Sequence, residues 1–313
     1  MIRKYGSAIL VIVLVLCTGG CGADDKITDQ GRSDSQITVT REDPEEAEDT
    51  NIADTDISED MNAEEPKILV FRDVFGEEYQ TEIKSDVEAS PYSKDLFVHE
   101  ENRLSYNDDR YDCLLGVDVS HHQGKVDWKA VKDQGYDFTF LRIAYRGYGK
   151  EGSLNPDKTF EQNYEGAKEA GLSVGVYFFA QAINETEAAE EAEYVLNILN
   201  GRDLELPVVY DPESILDDEA RTDNVTAEQF TKNSKVFCDK IRDSGYKPMI
   251  YCNMLWEAFQ LDLSELKDIP IWYADYEDVP QTPYNFEFWQ YSNEGSVKGI
   301  DGAADLNIWM RHK

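Results

Sequence analysis

Residues 113–313 predict an α/β barrel. Three observations carry this prediction. Strand and helix signals alternate along the segment, no GxGxxG loop interrupts them, and three apolar strands end in an acid. The strands come in a regular series: Leu114–Val119, Phe138–Ala144, Val174–Phe179, Pro207–Asp211, Met249–Cys252, Ile271–Ala274 and Phe286–Tyr291. The helices between them follow local rules. Asp127–Gln134 is short and closed by Gly135. Asn155-Pro156 places a proline where a first helical turn accepts one, and Gly171 stops that helix. Asn184 with Glu187 forms a capping pair before a helix to Leu199. Thr226 with Gln229 opens another, which turns Phe230, Phe237 and Ile241 inward and ends at Gly245.

Two segments precede the barrel. Residues 67–112 read as a small β-rich extension of hairpins, with Ile68–Phe71, Phe75–Ile83 around Gly76, and Phe97–Tyr106. Residues 22–66 hold 16 Asp+Glu against 3 Lys+Arg and no aromatic residue, so they predict a disordered acidic linker. Residues 1–21 have the pattern of a secretory signal: Arg3 and Lys4, an apolar run from Ala8 to Cys17, then small residues. Thr18-Gly19-Gly20-Cys21 resembles a bacterial lipobox, with Thr18 in place of the usual Leu, and would make Cys21 the lipid anchor. An ordinary cleaved signal is the alternative.

The whole chain of 313 residues carries 30 Lys+Arg and 64 Asp+Glu, a net charge of −34. That excludes a nucleic-acid binder, which needs clustered Lys and Arg. It also disfavours adhesion to anionic lipid through a basic face, leaving the N-terminal anchor as the membrane contact. Cys113, Cys238 and Cys252 are an odd set, so a disulfide framework is not expected, and no zinc-ligand spacing occurs.

The acids at the strand ends are Asp118, the pair Asp211 and Glu213, and Asp275. A single acid after a strand is ordinarily a loop or cap residue. Asp211 and Glu213 stand at i and i+2, hence on one side of an extended segment, with Cα atoms roughly 6.5 Å apart. Neighbouring carboxylates raise the proton affinity of one another, which suits one to donate a proton and the other to stabilise positive charge. Glycoside hydrolysis needs those two roles. Tyr145, Tyr177, Phe179, Tyr210, Trp272, Tyr276, Trp289 and Tyr291 crowd the same strands and would suit the apolar faces of sugars.

Gly116-Val117-Asp118-Val119-Ser120-His121-His122-Gln123-Gly124, followed by Val126-Asp127-Trp128, resembles the opening signature of glycoside hydrolase family 25 lysozymes. Leu206 to Glu213, Ile271 to Tyr276, Phe288 to Ser292, Gly299-Ile300-Asp301 and Asp305-Leu306-Asn307 resemble later blocks, in family order. The resemblance implies a (β/α)5(β)3 barrel and an N-acetylmuramidase acting on peptidoglycan glycan strands without a cofactor, as a monomer. It implies Glu213 as general acid, Asp211 assisting the substrate N-acetyl group, and Asp118 and Asp275 lining the site. Tyr145, Tyr177, Phe179, Trp272, Tyr276, Trp289, Gln290 and Asp305 would contact substrate. Asp-Pro-Glu stands for the more usual Asp-Val-Glu, and Tyr177-Phe178-Phe179 lacks the His often found in that strand. Two rivals are a non-catalytic wall-binding lipoprotein on the same barrel, and a peptidase or amidase. The second has only His121 and His122 near the site, adjacent residues that would point apart in an extended segment.

Overall fold

The computed structural model describes residues 65–216 and 218–313. The signal, Cys21 and nearly all of the acidic linker lie outside the described residues.

Four short strands come first. β1 (Ile68–Arg72) pairs antiparallel with β2 (Glu78–Glu82), and β3 (Phe97–Glu100) with β4 (Arg103–Tyr106). These are the hairpins expected of the extension. The barrel then begins with β5 (Tyr111–Val119), two residues before the boundary drawn from sequence. It continues through α1 (Trp128–Asp133), β6 (Phe138–Arg146), β7 (Leu154–Pro156), α2 (Phe160–Glu169), β8 (Ser173–Ala180) and α3 (Glu185–Leu199). It is completed by β9 (Val208–Pro212), α4 (Ala227–Asp243), β10 (Pro248–Asn253), α5 (Met254–Phe259), β11 (Ile271–Ala274), β12 (Phe288–Gly295) and β13 (Ala304–His312). Strands β5, β6, β8, β9, β10, β11, β12 and β13 form one closed ring, in which β13 alone runs antiparallel to its neighbours.

Local chemistry explains most boundaries. Asn184 Oδ1 accepts from the Glu187 N–H at 3.0 Å, and Thr226 Oγ1 from Gln229 N–H at 3.2 Å, caps worth about 1 kcal/mol each. The helix expected at Asn155-Pro156 starts later. Asn155 pairs with Tyr145 across β6 and β7. Asp157 Oδ1 instead accepts from both Thr159 N–H (2.9 Å) and Thr159 Oγ1 (2.8 Å), just ahead of α2. Helix α5 and strand β13 were not expected; α5 is only six residues long.

Side-chain parity divides the barrel strands. Phe138, Phe140, Val209, Met249, Trp272 and Phe288 fill the interior, while Leu141, Val176, Tyr210, Ile250, Tyr273 and Ile308 face the surrounding layer. Gly116 exists because a Cβ there would stand 2.4 Å from the Phe138 ring. Outside the ring, Phe237 of α4 packs on Tyr210 at 4.7 Å; cutting so buried a Phe to Ala costs about 3–5 kcal/mol. Helices follow β5, β6, β8, β9 and β10, whereas the extension covers the region of β11 and β12. Tyr92 meets Phe286 at 4.7 Å, and Phe97 meets Trp289 at 5.2 Å. The hairpins thus shield part of the barrel wall with aromatic residues.

Candidate active site

Each interior residue near the strand C-termini is followed, two positions on, by a residue on the same face. Phe140 leads to Arg142, Val209 to Asp211, Met249 to Tyr251, and Phe288 to Gln290. Gly116 leads to Asp118, and β13 brings Asn307 and Asp305 from the opposite direction. The polar ring above the apolar interior therefore follows from strand parity.

Asp118 is the best-anchored acid of this ring. Its Oδ2 accepts from Gln290 Nε2 and Asn307 Nδ2, both at 2.8 Å. Gln290 is oriented in turn by the hydroxyls of Tyr251 and Tyr276, each donating to its Oε1 at 2.9 Å, and Asn307 by Trp272 Nε1 at 2.8 Å. Burial outweighs these donors and pushes the Asp118 carboxyl up to about 6. Asp305 stands directly opposite Asp118 across β13 and β5. Burial first, then the charges of Asp118 and Glu213, hold it well above the usual carboxylate range.

Asp211 and Glu213 project together, as their spacing predicts. Asp211 is buried, and its Oδ1 has no hydrogen-bond partner in the protein. Burial and then the neighbouring Glu213 charge raise its carboxyl far above normal. Glu213 is exposed at the end of β9, yet enough protein surrounds its carboxyl to raise it too. A hydrogen bond with Asp211 partly reverses that rise. The pair therefore retains one proton above the ordinary carboxylate range. Arg142 opposes the repulsion at both acids. Its Nε donates to Asp157 Oδ2 at 2.9 Å, and its guanidinium lies 5.2 Å from the Tyr145 ring centre.

Asp275 does not join this group. Ala274, not Asp275, is two residues beyond interior Trp272, so Asp275 shares the outward face with Tyr273. Its Oδ2 accepts from the Tyr273 hydroxyl and the Gln281 N–H, both at 2.8 Å, and its Oδ1 from Glu277 N–H at 3.2 Å. It ties down the loop after β11.

The aromatic residues separate in the same way. Tyr145, Phe179 and Asp211 are neighbours across β6, β8 and β9, and Tyr177 lies near Asp118 and Asp211. Tyr276 is 37% exposed and reaches the ring through Gln290. Trp272 is enclosed in the barrel interior. Tyr210, Trp289 and Tyr291 face outward, with Trp289 Nε1 donating to the Asp275 carbonyl at 2.7 Å and Tyr291 to the Asn102 carbonyl at 2.9 Å. The two histidines do not point apart. His121–Gln123 is a 3-10 turn capped by Ser120, and the imidazole rings lie 4.1 Å apart. Burial and Arg142 depress both, His122 to about 4, so they are neutral near pH 7.

Four contributors were missed in the sequence. Arg142, Tyr251 and Asn307 occupy the ring, and Gln181 Nε2 donates to the Glu213 carbonyl at 2.8 Å while its Oε1 accepts from Thr222 Oγ1 at 3.0 Å. Arg142 in the middle of Phe138–Arg146 was the available signal, since a charge inside an apolar strand needs partners. A cavity of about 740 Å³ lies at the other end of the barrel beside Tyr111, Ile271 and Trp309, away from these acids.

The chain is 32% identical over 195 residues to the autolytic lysozyme of Clostridium acetobutylicum, covering 62% of this chain and 55% of the relative. It therefore spans little more than half of that protein's length. The bacterial lysozyme of Streptomyces coelicolor superposes with a TM-score of 0.50 at 25% identity, covering 62% of this chain and 90% of that one. A family 25 glycosyl hydrolase from Bacillus anthracis shares the fold at 24% identity and a TM-score of 0.52, covering 68% and 94%. Residues 117–300, more than half of the sequence, match the family described as Glycosyl hydrolases family 25, and the chain belongs to that family.

Proposed function

We propose that this protein is a peptidoglycan hydrolase of the lysozyme type, cutting the β-1,4 bond between N-acetylmuramic acid and N-acetylglucosamine. The observation that carries the reading is the Asp211–Glu213 pair, which retains a proton at the open end of a closed barrel. In the free enzyme the two carboxyls share that proton. A substrate N-acetyl N–H placed against Asp211 would favour its ionised form and move the proton to Glu213. Glu213 then gives it to the bridging oxygen as the C1–O bond breaks, while the N-acetyl oxygen closes on C1. Water opens that ring at C1 and returns a proton to Glu213. Asp118, fixed by Gln290 and Asn307, supplies negative charge beside the positive centre, and Asp305 lines the same wall. Tyr145, Tyr177, Phe179, Tyr276 and Gln290 would contact the glycan, whereas Asp275, Trp272 and Trp289 hold the frame.

On this reading the chain is a (β/α)5(β)3 barrel that works as a monomer outside the cytoplasm, anchored through lipid on Cys21 and kept off the membrane by the acidic linker. Zymography on wall-containing gels tests it: the wild type clears and Glu213→Gln does not. Equal clearing by both would remove the assignment. Absence of clearing by both, with retention on wall sacculi, would favour the non-catalytic wall binder. Product analysis adds the bond: new reducing muramic-acid ends are expected, and released peptides would point to an amidase.

A further inference from the structure

The connection between β11 and β12 carries Asp275 and Tyr276, and the N-terminal hairpins lie along its outer flank. Gln281 of this connection behaves as a strand neighbour of β1. Its Oε1 accepts from Arg72 N–H at 2.8 Å, and its Nε2 donates to the Arg72 carbonyl at 2.9 Å. The same Nε2 reaches Asp275 Oδ1 at 3.3 Å, while the Gln281 N–H donates to Asp275 Oδ2 at 2.8 Å. From β3, His99 Nε2 donates to the Asp278 carbonyl at 2.6 Å. Within the turn that Gln281 closes on Asp275 stand Tyr276, Glu277 and Asp278, all exposed. Tyr276 continues the chain of contacts inward, through Gln290 to Asp118.

We propose that the β1–β2 hairpin positions the active-site wall, with Gln281 as the positioning residue that transmits its hold to Tyr276, Gln290 and Asp118. The bonds to Arg72 are solvent-exposed, so they contribute little to global stability. Their effect falls on the loop, whose geometry decides whether the Tyr276 hydroxyl meets Gln290. This would give residues 67–100 a role in catalysis without placing any of them on the substrate. The kinetic part rests on the proposed hydrolase activity; the structural part does not.

The test compares Gln281→Ala, Tyr276→Phe and the double variant in the full chain, by wall-hydrolysis kinetics and hydrogen–deuterium exchange. Gln281→Ala should lower kcat/KM about three- to tenfold, the range of one hydrogen bond. Its exchange should quicken over residues 275–282, with thermal stability close to wild type. Tyr276→Phe should lower kcat/KM similarly. The double variant should be no worse than the poorer single, because both break one chain of contacts. Multiplying losses, or faster exchange with unchanged kcat/KM in an active enzyme, would overturn the proposal. If the wild type hydrolyses no wall, the functional reading fails and exchange alone decides: quickening at 275–282 supports the positioning role, and unchanged exchange ends it.

Discussion

Asp118 and Asp275 begin alike and end differently. Each follows an apolar barrel strand, each is buried, and each accepts hydrogen bonds from a glutamine. Asp118 falls two residues after an inward position and meets Asp305, Asp211 and Glu213 across the barrel mouth. Asp275 falls three residues after inward Trp272 and turns to Tyr273 and its own loop. One residue of phase separates an acid of the carboxylate cluster at the barrel mouth from an acid that shapes a loop. The difference teaches that an acid at a strand end is informative only together with the parity of the strand that carries it.

The largest expected effect tests the inward set. Glu213→Gln should reduce wall hydrolysis by about 10³-fold or more while leaving the melting temperature near wild type, because Gln keeps the shape and can still hydrogen-bond Asp211. Asp211→Asn should cost about 10²-fold and move the alkaline limb of the activity profile to lower pH. With one carboxylate instead of two, the repulsion that holds the shared proton disappears. An unmoved limb would argue that the two acids titrate independently.

Asp118→Asn should separate function from stability. The folded carboxyl titrates near 6, above its ordinary value of 3.8, so ionising it costs folding free energy as pH rises from about 4 to 6. Asparagine keeps an oxygen for Gln290 and Asn307 and removes that cost. Activity should fall about tenfold or more, while thermal stability rises at pH 7 and gains little at pH 4. A lower melting temperature at pH 7 would sink this account.

Asp275→Asn sharpens the contrast from the other side. It loses acceptors for the Tyr273 hydroxyl or the loop N–H groups, about 1–3 kcal/mol. A lowered melting temperature is expected, with a smaller loss of kcat than at Glu213 and no displaced pH profile. If Asp275→Asn instead proved as inactive as Glu213→Gln at full stability, the inward and outward distinction would be broken.

Much of this was legible in advance. Periodicity located the seven strands that were expected, and caps located the starts of two helices, because Asn184 and Thr226 act through neighbours three residues away. The i, i+2 rule placed Asp211 and Glu213 together. The short α5 and the late β13 were not legible, since a single helical turn and a half leaves little periodic signal. The aromatic group was overcounted: Trp289 and Tyr291 lie on the outward face, and the covering extension that makes this favourable is distant in sequence. His121 and His122 were read as extended, whereas Ser120 and Gln123 curl them into a turn.

By itself the sequence determined the class of fold, the order of most of its elements, the paired acids at the end of β9 and the family resemblance. These depend on spacing, and spacing is local. Only the tertiary structure decided that Arg142, Tyr251 and Asn307 belong to the ring, that Asp275 does not, and that the hairpins lie against the loop carrying Tyr276. Those outcomes depend on which strand faces which across the closed barrel, and on burial that raises carboxyl proton affinity only once the surrounding chain has excluded water.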